Sequence, residues 1–444
     1  MKKKVMAVLL GLAMAAGSLT GCGGSKEPAQ DATGGESAGS ESTGNENTGE
    51  SSDGDVIELE MWCWQSSVHE ETIAEVEQAI PGVRVNVNKF NSENMEEKVL
   101  TALASDSPLP DILVMDDWIS NIMPSADKFN NLLDEPFQAE QYKDQYVEWK
   151  WNNAMTGDGE KLIAIPIDAG PTVMYYRADL FEAAGLPSEP EEVAELMSDW
   201  DGALEAAKQM KEKTGVYMFD FTKNLFLMMI SQQEEGLINK NDEFIGDQDH
   251  IKEAFYKAAE FSDYVFGMPD MYGTEWGAAM NNGDVAAYCG AVWTLEMLKN
   301  TAPDTAGQWR VTRMPGGPAN NGGSCMGIPV TCEHPEEAFQ VILWLQNAEN
   351  QLIALETESL FPTNLEAVDS PEVVKEDEFF GGQKVNEIFV DAVKNVPTQY
   401  RGLNYTAFRQ YFYDELMLIQ DTGKDVDEAW EDAMKGCEAF KATL

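Results

Sequence analysis

Ile57-Glu58-Leu59-Glu60-Met61-Trp62, Val83-Arg84-Val85-Asn86-Val87-Asn88-Lys89 and Ile112-Leu113-Val114-Met115 decide the architecture. The first two stretches alternate apolar and polar side chains, as half-buried strands do. The third is a short apolar run that suits a fully buried strand. Between them, Val68 to Ala79 and Met95 to Ala104 have helical spacing. The order strand, helix, strand, helix, strand predicts a parallel sheet with helices on both faces. Ligands of such sheets bind beyond the carboxyl ends of the strands. The first candidate site residues are therefore Trp64, Gln65 and Ser66 after the first strand, and Asp116, Asp117 and Trp118 after the third.

Further along, three helices are legible. In Asp249–Phe261 a capping Asp precedes Ile251, Ala254, Phe255, Ala258 and Phe261 at helical spacing. Asp425–Phe440 puts Val426, Ala429, Trp430, Ala433, Cys437 and Phe440 on one face, and Trp200–Lys213 is similar. These stripes read as core, so Trp430 receives no ligand role. A strand ending at Met218–Asp220 would present Phe221 and Lys223.

The chain begins with an address. Lys2 to Lys4 form a basic region and Val5 to Ala16 an apolar one; Leu19-Thr20-Gly21-Cys22 closes the segment. The apolar run is too short for about 30 Å of hydrocarbon, so residues 1–21 read as a secretory signal. Its end resembles a bacterial lipobox, which implies cleavage before Cys22 and acylation of that residue. Residues 22–55 are mostly Gly, Ser, Glu, Thr and Asn, the composition of a flexible acidic tether. Together these place the folded body at the extracellular face of the cytoplasmic membrane, held to the bilayer through Cys22.

With 444 residues and 43% hydrophobic composition, two or three folded domains are expected. A formal charge of −48 excludes a nucleic-acid partner, which would need Lys and Arg patches on the surface. Of six cysteines, five remain once Cys22 is set aside, an odd number, and Cys325 with Cys332 is the one local pairing left open. His69, His250 and His334 form no HxH or HExxH motif, and there is no CxxC. The segment from Asn239 has Phe244 where a calcium loop needs Gly. The glycines of Pro315–Gly323 lack the Gly-Lys-Ser/Thr of a phosphate loop. Neither metal nor cofactor is expected.

Several stretches together resemble the extracellular solute-binding proteins of carbohydrate ABC transporters. They are Pro110-Asp111-Ile112-Leu113-Val114-Met115-Asp116; Ile165-Pro166-Ile167-Asp168; Met174-Tyr175-Tyr176-Arg177 through Gly185-Leu186-Pro187; Trp200-Asp201-Gly202-Ala203-Leu204; Gly290-Ala291-Val292-Trp293; Met314-Pro315-Gly316-Gly317-Pro318; and His334-Pro335-Glu336-Glu337-Ala338. The resemblance implies an α/β fold of two lobes, each a mixed sheet flanked by helices, with a ligand cleft between them. It implies one lobe of residues 56–167 and 324–361, another of 168–316 and 362–444, and a hinge crossing at 317–323. It adds Asp168 at the first crossing, Gly323 and Ser324 at the second, Trp293 as a stacking aromatic, and Arg401, Asn404 and Tyr405 in a segment capping the cleft. It also implies a carbohydrate ligand, permease subunits as partners, a monomer and no catalysis. A sugar needs carboxylates and amides for its hydroxyls and aromatic faces for its C–H surface. The rival readings are a binding protein for another solute, such as a polyamine, and a glycoside hydrolase pairing Asp116 with Asp168 or Glu275.

Overall fold

The computed structural model describes residues 56–267 and 273–444; the predicted signal 1–21, Cys22 and the tether 22–55 lie outside the described residues. In chain order the strands are β1 (Ile57–Trp64), β2 (Val83–Phe90), β3 (Ile112–Met115), β4 (Ala164–Pro166), β5 (Asp168–Ala169), β6 (Val173–Arg177), β7 (Ala287–Gly290), β8 (Trp309–Thr312), β9 (Cys325–Gly327) and β10 (Phe361–Pro362). The first lobe is built on a five-stranded sheet ordered β2-β1-β3-β9-β4. As the sequence predicts, β1 runs parallel to both β2 and β3. The return strand β9 is antiparallel to β3 and β4, which makes the sheet mixed. Because β2 and β3 lie on opposite sides of β1, the order reverses there, and the carboxyl ends of β1 and β3 are where sheets of this order take their ligands.

The second lobe carries an antiparallel sheet ordered β7-β6-β8. Side chains of β6 alternate between its faces. Met174 and Tyr176 join one core with Ala287 and Cys289, whereas Val173 and Tyr175 join another with Tyr288 and Val311. The uninterrupted apolar run of Val173–Tyr176 follows from burial on both sides.

Three segments connect the lobes. β5 and β10, at the first and third crossings, pair as Ala169 with Phe361 and Asp168 with Pro362. Gln351 Oε1 accepts the backbone N–H groups of Thr363 and Asn364, both at 2.8 Å, and the Thr363 hydroxyl donates to the Ile167 carbonyl at 3.1 Å. The helices α1 (Glu70–Ala74), α2 (Val76–Ala79), α3 (Ser92–Ala104) and α4 (Glu148–Asn153) belong to the first half of the chain. Of these, α4 ties the lobes together. Trp151 enters the first lobe's core, while Trp149 enters a core of the second and donates its indole N–H to the Val393 carbonyl at 2.7 Å.

Some sequence expectations need correction. The helix predicted over Val68–Ala79 is two short ones, α1 and α2. The Glu75 N–H is shared among the carbonyls of Glu71, Thr72 and Ile73, a tightened turn that divides them. Asp249 is the first residue of its helix and not the cap, a position Gln248 occupies. Met218–Asp220 forms no strand; only isolated bridges occur nearby, Tyr217 to Val285 and Phe219 to Val265. Cys325 and Cys332 are unbridged, and all five body cysteines are buried free thiols.

Candidate functional site

At the carboxyl end of β1 the chain turns sharply. The Ser67 hydroxyl accepts the Trp64 N–H and donates to the Trp64 carbonyl at 2.8 Å. Gln65 and Ser66 are thereby exposed, with Ser66 in the left-handed region at φ 61°. Trp64 and Trp118 are half-buried against the first lobe's core, each keeping part of its surface accessible. Beyond β3 a 3-10 turn, Asp117–Asn121, is capped by Asp116, whose carboxylate accepts the Asp117 N–H at 2.7 Å. Burial, reinforced by the charge of Asp117, pushes Asp116 up to about 7; Lys150 opposes this rise.

The second lobe meets this turn directly. Arg401 forms an ion pair with Asp117 and donates to the Asn320 carbonyl at 2.8 Å. One guanidinium thus touches the first lobe and the second crossing. Asn404, at φ 65°, donates its backbone N–H to Asn121 Oδ1 at 3.2 Å. Tyr405 opens the next helix, Tyr405–Thr422, and is only 2% exposed. Its ring lies 5.5 Å from the guanidinium carbons of both Arg401 and Arg409, and Arg409 also stands 5.1 Å from the Tyr413 ring.

At the crossings the candidates are structural. The Asp168 carboxylate accepts the Ser324 N–H at 2.8 Å, and both residues are buried. Burial raises Asp168 above the ordinary carboxylate range against the pull of Lys150. Lys150 is itself buried and donates to the Gly323 carbonyl at 2.6 Å. Trp293, half-buried, presses its indole edge on two glycines. A Cβ at Gly170 or Gly322 would stand 2.9 or 2.8 Å from its Cη2 atom. Small residues there let the ring approach the crossing backbone.

The structure joins Arg401 to Asp117, next to Asp116 and Trp118 at the end of β3, sets Trp293 against the backbone at Gly170 and Gly322, and leaves Trp64, Gln65 and Ser66 at the end of β1. It corrects the expectation for Phe221, which is wholly buried in a second-lobe core and has no surface for a ligand. Asp168, Gly323 and Ser324 have polar groups engaged within the protein. Lys150 and Arg409 are charged neighbours of these candidates that sequence reasoning misses. The signal for Lys150 is its position between Trp149 and Trp151 in a run otherwise destined for burial. Arg409 gives no signal, because its setting comes from a helix face.

The family model described as bacterial extracellular solute-binding protein matches residues 71–381, more than half of the chain. A lactose-binding protein of Rhizobium radiobacter is 27% identical over 385 residues, covering 79% of this chain and 84% of that one. An arabinooligosaccharide-binding protein of Halalkalibacterium halodurans is 25% identical over 327 residues, covering 70% of this chain and 71% of that one. A crystal structure of an extracellular solute-binding protein family 1 member superposes with a TM-score of 0.82 at 27% identity, over 86% of this chain and 99% of the other. The sugar-binding protein MalE from Xanthomonas citri shares the fold with a TM-score of 0.71 at 18% identity, over 86% of this chain and 97% of its own.

Proposed function

This chain belongs to the bacterial extracellular solute-binding protein family, and we propose that it captures a sugar or short oligosaccharide between its lobes and delivers it to the permease of an ABC importer. The lactose and arabinooligosaccharide named for its relatives support a carbohydrate ligand. The observation that carries the reading is the Asp117–Arg401 contact, which joins the carboxyl end of β3 to the second lobe. A ligand in that crevice touches both lobes at once. It favours the closed arrangement to the extent that it binds it better than the open one. Asp116, Asp117 and Arg401 supply partners for hydroxyls, and Trp64, Trp118 and Trp293 supply faces for the sugar's C–H surface.

The two lobes comprise residues 56–167 with 324–361 and 168–316 with 362–444, and 317–323 is the hinge crossing. Residues 1–21 direct export, and acylated Cys22 with the tether to residue 55 holds a monomeric body outside the membrane. No bond is made or broken in the protein. A glycoside hydrolase needs two available carboxylates, one with a raised pKa. Asp116 has the raised value, but of its two possible partners Asp168 accepts the Ser324 N–H in a buried position and Glu275 lies exposed on the helix Thr274–Asn282.

The test is the melting temperature of residues 56–444 against sugars, polyamines and amino acids. A ligand at 100 times its Kd adds about 2.7 kcal/mol, a rise of a few degrees. A rise with one sugar family, with the sugar recovered intact, is the expected result. A rise with a polyamine alone would overturn the substrate class, and recovery of cleaved sugar would make the protein an enzyme.

A further inference from the structure

The helices Thr294–Thr301 and Ala348–Glu358 and the segment 366–386 enclose a groove of about 790 Å³. None of the candidate ligand residues named above lines it, so it is separate from the Asp117–Arg401 contact. Its floor is apolar. Leu295, Val373 and Val385 are buried there, and Leu352 and Leu355 are half-buried against the same second-lobe core. Its rim is acidic: of 21 lining residues, eight are Asp or Glu and two are Lys. Across the chain 78 of 444 residues are acidic, so acids are about twice as frequent around the groove. We propose that this groove is a docking site for a basic amphipathic helix of a partner protein. The proposal stands apart from the sugar-binding reading.

The charge of the rim selects the sign of the partner. Both lysines are already engaged: Lys299 pairs with Glu296 at 2.7 Å and Asp377 at 3.0 Å, and Lys375 pairs with Glu356 at 3.2 Å. Glu349, Glu366, Glu372, Glu376 and Glu378 are exposed, and their carboxylates form no ion pair or hydrogen bond among the described residues. Five unpaired like charges around one groove repel one another, and Lys or Arg side chains docked between them relieve that repulsion. A second copy of this chain brings a further −48 and meets the rim with the wrong sign.

The apolar floor selects an amphipathic partner over a bare cation. The wall helix Ala348–Glu358 has 11 residues, three turns and roughly 16 Å of length. A helix laid along it seats apolar side chains at i, i+3 or i+4, and i+7 against Leu352, Leu355 and Val373. Its flanking basic side chains then reach the rim carboxylates on either side. A polyamine satisfies the rim but leaves the leucines without a matching face.

Calorimetric titration of residues 56–444 with a synthetic Leu/Lys peptide of about 18 residues, long enough to hold a helix and with Leu at i, i+3, i+4 and i+7, tests this. The peptide is expected to bind at least about tenfold more tightly than a scrambled peptide of the same composition. Glu372→Lys with Glu376→Lys, both exposed positions, is expected to weaken the peptide about tenfold. Glu195→Lys with Glu253→Lys, an equal change of charge outside the groove, is expected to leave it within about twofold. Leu352→Gln reads the floor, with an expected loss of about threefold to tenfold. Equal binding of the scrambled peptide, or equal losses from the two double variants, would overturn the proposal, because attraction to the overall charge would then explain the affinity. Spermine binding as tightly as the peptide, with the same loss in Glu372→Lys with Glu376→Lys, would make the groove a small-cation site and overturn the helix. Self-association of the chain that is lost in Leu352→Gln would make a second copy the occupant and overturn it as well.

Discussion

Asp116 shows how one residue's environment becomes a measurable property of the protein. In the folded chain its pKa rises to about 7, through burial and then the charge of Asp117. In the unfolded chain it titrates in the ordinary carboxylate range. Its contribution to stability is therefore complete below that range and is lost as pH climbs through about 7. Every tenfold change in proton affinity corresponds to roughly 1.4 kcal/mol, so the full effect is on the order of a few kcal/mol. Asp116→Asn carries no charge at any pH and can still accept the Asp117 N–H. The variant is expected to lose less melting temperature between about pH 5 and pH 8 than the wild type. Asp220, wholly buried and also pushed up to about 7, preserves part of the slope in both. Equal slopes in the two proteins would mean that Asp116 ionises freely.

Among the connecting elements, the segment after β10 has two of its backbone N–H groups held by one side chain. Gln351, on the helix Ala348–Glu358, accepts two backbone N–H groups just beyond β10 and donates to Gln346 and to the Thr363 hydroxyl. Gln351→Leu preserves bulk but leaves two buried donors unpaired, each at about 1–3 kcal/mol. A melting-temperature loss matching roughly 2–5 kcal/mol is expected. A loss below about 1 kcal/mol would show that water or a backbone movement satisfies those groups. Element by element, the sequence is legible where periodicity is strong. The strands Ile57–Trp64 and Val83–Phe90 and the helix Val426–Lys441 lie close to their predicted spans. It is illegible at β5 and β10, two-residue strands whose pairing joins parts of the chain far apart in sequence. The role of Gln351 is hidden for the same reason, since its partners are set by the crossing and not by neighbours on its own helix.

Across the whole molecule, a formal charge of −48 makes self-repulsion a standing cost of the compact state. Raising ionic strength from about 10 mM to 200 mM shortens the screening length from about 30 Å to under 10 Å. The melting temperature of residues 56–444 is expected to rise over that range. A fall would mean that attractive surface pairs such as Arg84–Glu77 and Lys257–Asp201 outweigh the repulsion. By itself the sequence determined the alternating strands and helices, the α/β class and the positions of Trp64–Ser66 and Asp116–Trp118 at strand ends. These follow from local periodicity and from the rule that parallel strands open their carboxyl ends to ligands. Only the tertiary structure decided which distant residues meet there. It brought Arg401 to Asp117 and Lys150 to the Gly323 carbonyl, buried Phe221 in a core and opened a cavity between Asn153 and Tyr400. Those outcomes depend on how two lobes lie across three crossings, a relation between segments that no local pattern of side chains encodes.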